Sequence, residues 1–143
     1  IFIYVIAFAV DPNIYWFLGS VLFFDNDIIQ QIGIGLMMIA LVWVVIAQLQ
    51  MKDSWRIGID DSAPAAAPLV TKGLFRFSRN PIFLGLVLCL IGLFLCTANA
   101  VTGVFVSCGF VLIDVQIRLE EEFLLKMHGE EFTKYRQNVR RWL

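Results

Sequence analysis

Charge is scarce in this chain. Only 16% of its 143 residues are Asp, Glu, Lys or Arg, against roughly 25% in ordinary soluble domains. The two signs nearly cancel, with eleven Lys and Arg facing twelve Asp and Glu, so no nucleic-acid partner is expected. Histidine occurs once and cysteine three times. Cys89, Cys96 and Cys108 all sit inside apolar runs, where cysteine serves as a small packing residue. No His/Cys cluster accompanies the acidic pair Asp60 and Asp61, so no metal site is expected.

What fills the sequence is apolar: 59% of residues are hydrophobic and the mean hydropathy is +0.79. A soluble core of this size cannot hide that much apolar surface. The composition therefore predicts an all-α integral membrane bundle forming one domain over residues 1–143, with few residues outside the membrane.

Residues 1–10 are apolar but too short to cross a bilayer. Residues 14–24 are apolar and aromatic, with Tyr15 and Trp16 suited to the membrane boundary. Residues 28–49 are long enough to span a core about 30 Å thick. Two further apolar segments, 81–97 and 101–113, are separated by only "ANA", which predicts a tight C-terminal helical hairpin. Gly85, Cys89, Gly92 and Cys96 recur on one helical face, and Gly103 with Ser107 offers a matching patch for close approach. All eleven Lys and Arg lie in the 50–80 connection or after residue 113. The positive-inside rule then places both on the cytoplasmic side of a multi-pass protein.

Chemistry concentrates at two places. "LFRFSRNPIFLG" sets arginines and an Arg-Asn-Pro turn at the mouth of an apolar helix. Proline suits a first helical turn, and Asn80 reads as its cap. The second place is "RLEEEFLLKMHGEEFTKYRQNVRRWL", where Gln116 and Glu120 share one helical face and Arg118 and Glu122 another. Carboxylates at the membrane boundary are costly unless paired or liganded. A solvated acidic face answering the nearby arginines is the plain alternative on spacing alone. His128, Tyr135, Trp142 and Trp55 read as interfacial residues. The terminal "RQNVRR" reads as a headgroup contact, with Arg140 or Arg141 available to close a pocket.

"SWRIGID", "LVTKGLFRFSRNPIFLG" and "EEEFLLKMHGEEFTKYRQNVRRWL" resemble, in that order, the isoprenylcysteine carboxyl methyltransferases and their bacterial relatives. Those are integral-membrane enzymes that use S-adenosylmethionine. The resemblance divides the domain into an N-terminal transmembrane part, 1–49, and a cofactor-binding and catalytic part, 50–143. It implies a cytoplasmic cofactor site formed by Ala67, Pro68, Leu69, Val70, Phe75, Asn80, Pro81, Ile82, Phe83 and Glu120. It implies Arg79, Asn80 and Glu121 as catalytic residues and Gln116 and Arg118 as substrate-facing ones. The implied acceptor is lipidic, most closely a prenylcysteine-type carboxylate, met within membrane lipid.

The family's Arg-His-Pro-x-Tyr-x-Gly pattern is altered here. Asn80 stands in the histidine position and Phe83 in the tyrosine position, and Gln116 falls where those enzymes carry a substrate arginine. An amide still donates and accepts hydrogen bonds. Methyl transfer is an in-line displacement that needs an aligned, desolvated nucleophile rather than a catalytic dyad. Two alternatives stay open. One is an NADPH-dependent membrane reductase of the sterol or steroid type, although those enzymes usually follow the motif glycine with an acidic residue and Gly85 is followed by Leu86. The other is a non-catalytic membrane scaffold of the same fold.

Overall fold

A computed structural model describes Ile6, Val10, Asp11 and residues 26–51 and 68–143. Among these residues every regular element is helical: α1 (Asp27–Met51), a 3-10 turn (Gly73–Arg76), α2 (Pro81–Thr97), α3 (Ala100–His128) and α4 (Glu130–Asn138). Residues 14–24, Trp55, the Asp60–Asp61 pair and Ala67 lie outside the described residues.

Each helix starts where local chemistry dictates. Asn26 caps α1, its side-chain oxygen accepting the Ile28 N–H at 2.8 Å and its carbonyl the Gln30 N–H at 3.0 Å. Pro81 opens α2, where its missing N–H costs nothing, and the Asn80 carbonyl accepts the Leu84 N–H at 3.0 Å. Asn99 and Thr102 bracket the start of α3 reciprocally. The Thr102 N–H donates to Asn99 Oδ1 at 3.0 Å and the Asn99 N–H to Thr102 Oγ1 at 3.2 Å, the logic of a capping box. Both side chains are fully buried, so this uncharged turn is a polar core rather than a surface tip.

α1 and α3 are long and apolar enough to cross a membrane, while α2, at 17 residues, is shorter. Only 17% and 11% of the apolar windows of α1 and α3 are buried within the chain. A core helix of a soluble protein would be mostly covered. The exposed side chains of α1 include Ile28, Ile32, Ile34, Met38, Ile39 and Val42, a surface that hydrocarbon alone can solvate. This is a membrane protein. α3 carries the apolar run and the acidic stretch on one unbroken helix.

The chain forms two compact units, Ile1–Ala40 with Val87–Val111 and Leu41–Leu86 with Leu112–Leu143. In the first, Gly33 of α1 meets Gly92 and Cys96 of α2. A Cβ on Gly33 would stand 2.8 Å from both Cys96 Sγ and the Gly92 carbonyl oxygen, and one on Gly92 would stand 2.8 Å from the Gly33 oxygen. The small face expected to meet Gly103 and Ser107 is thus spent partly on α1. A Cβ on Gly103 would make only ordinary contact with Phe94, at 3.7 Å. In the second unit, the Trp43 indole N–H of α1 donates to the Pro81 carbonyl at 2.9 Å. Gln50 Oε1 accepts the Leu74 N–H at 2.7 Å and lies over Gly73, whose φ of +66° favours glycine.

Because the Gly33–Gly92 contact is backbone against backbone, Gly33→Val should destabilise the protein by about 2 kcal/mol. At Gly35 an added methyl group would meet no atom within 4 Å, so Gly35→Ala should leave stability unchanged or slightly raised. Unfolding in detergent mixtures, followed by circular dichroism, checks the pair; equal midpoints for the two variants would contradict this packing.

Candidate functional site

The second unit gathers charge around one buried side chain. Glu121, on α3, is 7% exposed. Arg141 grips it side-on, with Nη2 donating to Oε2 at 2.8 Å and Nε to Oε1 at 3.3 Å. This two-point geometry is the strong form of an arginine–carboxylate pair. Arg79 Nη2 lies 3.2 Å from Oε1 and the Asn80 amide donates to the same oxygen at 3.4 Å. One carboxylate therefore meets two guanidiniums and an amide.

The backbone is arranged to deliver these groups. Ser78 and Asn80 are buried on the turn before α2, and Ser78 Oγ accepts the Asn80 N–H at 3.1 Å. The turn is clasped by α4 and the segment that follows it. The Arg79 N–H donates to the Arg140 carbonyl at 2.9 Å, while Ser78 Oγ and Asn80 Nδ2 reach the Arg141 carbonyl at 3.2 and 3.5 Å. Arg79 Nη1 donates to the Arg136 carbonyl at 3.0 Å. On α4, the buried Tyr135 phenol donates to the Phe75 carbonyl at 2.5 Å. Burial pushes that phenol up to about 12 against a smaller opposing pull from Arg79, so it remains a donor at every physiological pH.

The two arginines differ electrically. Burial holds the Arg79 guanidinium below its ordinary value, with Glu121 opposing and Arg141 and Arg136 adding repulsion. Arg141 is raised, first by its hydrogen bond to Glu121, with burial working the other way. Arg79 Nε is a buried side-chain donor with no hydrogen-bond partner among the described residues.

Arg79, Asn80 and Glu121 are thus brought into direct contact. Glu120, beside them in sequence, is half-buried and has no hydrogen-bond or ion-pair partner among the described residues. Phe75 and Pro81 are buried, Leu69, Val70, Ile82 and Phe83 half-buried, and Pro68 exposed. Gln116 is half-buried one turn before Glu120. Arg118 is exposed and pairs with Asp114 at 2.8 Å rather than turning to Glu122. Two participants are not evident from the sequence. Asp114 holds Arg118 and also lies 3.6 Å from Arg141. Tyr135 is an internal strut. Of the two arginines that the sequence offered to close a pocket, Arg141 is the one bound to Glu121. The spacing of Asp114, four residues before Arg118 and seven before Glu121, was the available signal.

Fold and cluster define a helical membrane protein with a polar, charge-paired site at the mouth of an apolar helix. The chain belongs to the phospholipid methyltransferase family, whose model matches residues 28–131, most of the chain. That is the class of membrane methyltransferases to which the isoprenylcysteine enzymes also belong, so the resemblance drawn from the motifs is borne out. No curated protein matches the chain.

Glu121→Ala should cost about 3 kcal/mol, because it strands Arg79, whose side chain is only 11% exposed. Asp114→Asn should cost about 0.5 kcal/mol, since Asp114 and Arg141 are each 30% exposed. Denaturation midpoints of the purified variants check the ranking, and equal losses would contradict the central place given to Glu121.

Proposed function

We propose that this membrane methyltransferase takes its methyl group from S-adenosylmethionine and passes it to a lipidic acceptor. The single observation that carries the reading is the contrast between two neighbouring carboxylates. Glu121 is occupied by Arg141, Arg79 and Asn80, whereas Glu120 is half-buried without a partner among the described residues. A carboxylate in that position calls for a cation, and the cofactor offers an ammonium group. When bound, S-adenosylmethionine supplies an electrophilic methyl group on a sulfonium.

The residues present fit such a group. Glu120 pairs with the ammonium. Phe83, half-buried, presents a ring more accessible to a cation than that of the buried Phe75. Pro68, Leu69, Val70, Pro81 and Ile82 wall the pocket. Asn80 takes the histidine's place as donor, and Glu121 with Arg79 fixes the turn. Gln116 and Arg118 face the acceptor, and Gln116 in place of arginine widens the acceptor class from a prenylcysteine-type carboxylate to other amphipathic lipids, a phospholipid headgroup included.

The orientation proposed puts the 50–80 segment and the C-terminus in the cytoplasm, following the Lys and Arg distribution. α2 and α3 then form a hairpin dipping into the bilayer. The polar cofactor reaches the helix mouth from water while the lipid arrives from the membrane, and excluding water there favours an in-line transfer.

Calorimetry of the detergent-solubilised protein with S-adenosylhomocysteine and NADPH in parallel tests the reading. S-adenosylhomocysteine alone should bind, and Glu120→Gln should weaken it by about tenfold or more without unfolding the protein. Binding of NADPH alone would replace this reading with a reductase, and binding of neither to a folded sample would leave a scaffold.

A further inference from the structure

Glu121 is held differently at its two oxygens. Oε1 has three neighbours, Arg79 Nη2, Asn80 Nδ2 and Arg141 Nε. Oε2 is bonded by Arg141 Nη2, at 2.8 Å. Take Arg141 away and Oε1 keeps two partners while Oε2 loses its strongest, opening an anionic acceptor beside Glu120. Arg141 in turn is fixed from two directions. Its carbonyl is bonded by Ser78 and Asn80, and its Nη1 lies 3.6 Å from Asp114 Oδ1. Asp114 and Glu121 are seven residues apart, two turns along α3, and so share the face that Arg141 spans. Arg141 also lies beyond the 28–131 stretch that matches the family.

We propose that Arg141, seated by Asp114, is a specificity-determining positioning residue: it occupies the Glu121 carboxylate so that a cationic ligand group binds at Glu120 instead. The inference rests on the reading that Glu120 receives the cofactor's ammonium. Two adjacent carboxylates would otherwise compete for one cation, and a ligand divided between two poses is poorly aligned for an in-line reaction. Arg141 suits the task better than lysine, because its planar fork covers both carboxylate oxygens at once. Asp114 and Arg141 need not touch the ligand to exert this effect.

A double-mutant cycle on S-adenosylhomocysteine binding tests it. With Arg141 present, Glu120→Gln should raise Kd by about tenfold or more. In an Arg141→Gln background the same change should cost less than about threefold, because the freed Glu121 accepts the ammonium. Asp114→Asn, a milder variant that keeps Arg141, should bring the penalty to an intermediate value, and it serves if Arg141→Gln does not fold. A merely structural role for Arg141 would lower affinity in every background by the same factor. Penalties that multiply across the cycle would therefore overturn the selection role while leaving the cofactor reading intact. Absence of binding to the unmutated protein would overturn the cofactor reading, and the selection role with it.

Discussion

A carboxylate buried in a protein must be paired or it will not stay there. That requirement, imposed by Glu121, organises the half of the molecule where the family motifs meet. The side chain is 7% exposed, and leaving such a charge unpaired would cost several kcal/mol. Its partners come from distant parts of the sequence, Arg79 before α2 and Arg141 after α4. Bringing them together forces the turn at 78–80 to lie against the 136–141 segment, and the backbone follows with the Arg79–Arg140 bond. The proline start of α2, the Trp43 bond to Pro81 and the Tyr135 bond to Phe75 then hold the same turn from the other sides.

The same constraint explains why neighbouring glutamates are not equivalent. Successive helical residues point about 100° apart, so Glu121 faces the arginines while Glu120 lies on a different side of the helix. A helix with three glutamates in a row can thus contain a paired carboxylate, a half-buried one and a solvated one, Glu122 being exposed. Identical chemistry acquires different roles through direction alone.

Much of this was legible in the sequence. The span of α1, the start of α2 at Pro81 and the concentration of polar residues at 79–80 and 120–121 follow from apolar run length, proline chemistry and the cost of charge near lipid. The motifs then pointed to the family. What periodicity does not encode is pairing across long separations. Arg141 was readable as one of two tail arginines available to close a pocket, and only the fold shows it on Glu121, 20 residues away. Tyr135 has the composition of an interfacial residue, and its burial depends on a partner 60 residues earlier. The Gly92–Cys96 face was readable as a close-packing stripe, but α1's Gly33 had no signal marking it as the partner, since a lone small residue is common in an apolar run. The "ANA" link was readable only as a tight connection, and its Asn99 proves to form a buried reciprocal cap with Thr102.

The most direct measurement is transfer of labelled methyl groups from S-adenosylmethionine into the organic-extractable fraction when the purified protein is incubated with membrane lipids, with a prenylcysteine analogue in a second arm. The account predicts lipid-soluble label that depends on intact Glu120. Label that appears at the same rate in a folded Glu120→Gln protein, or no label with either acceptor from a protein that binds the cofactor, would contradict it.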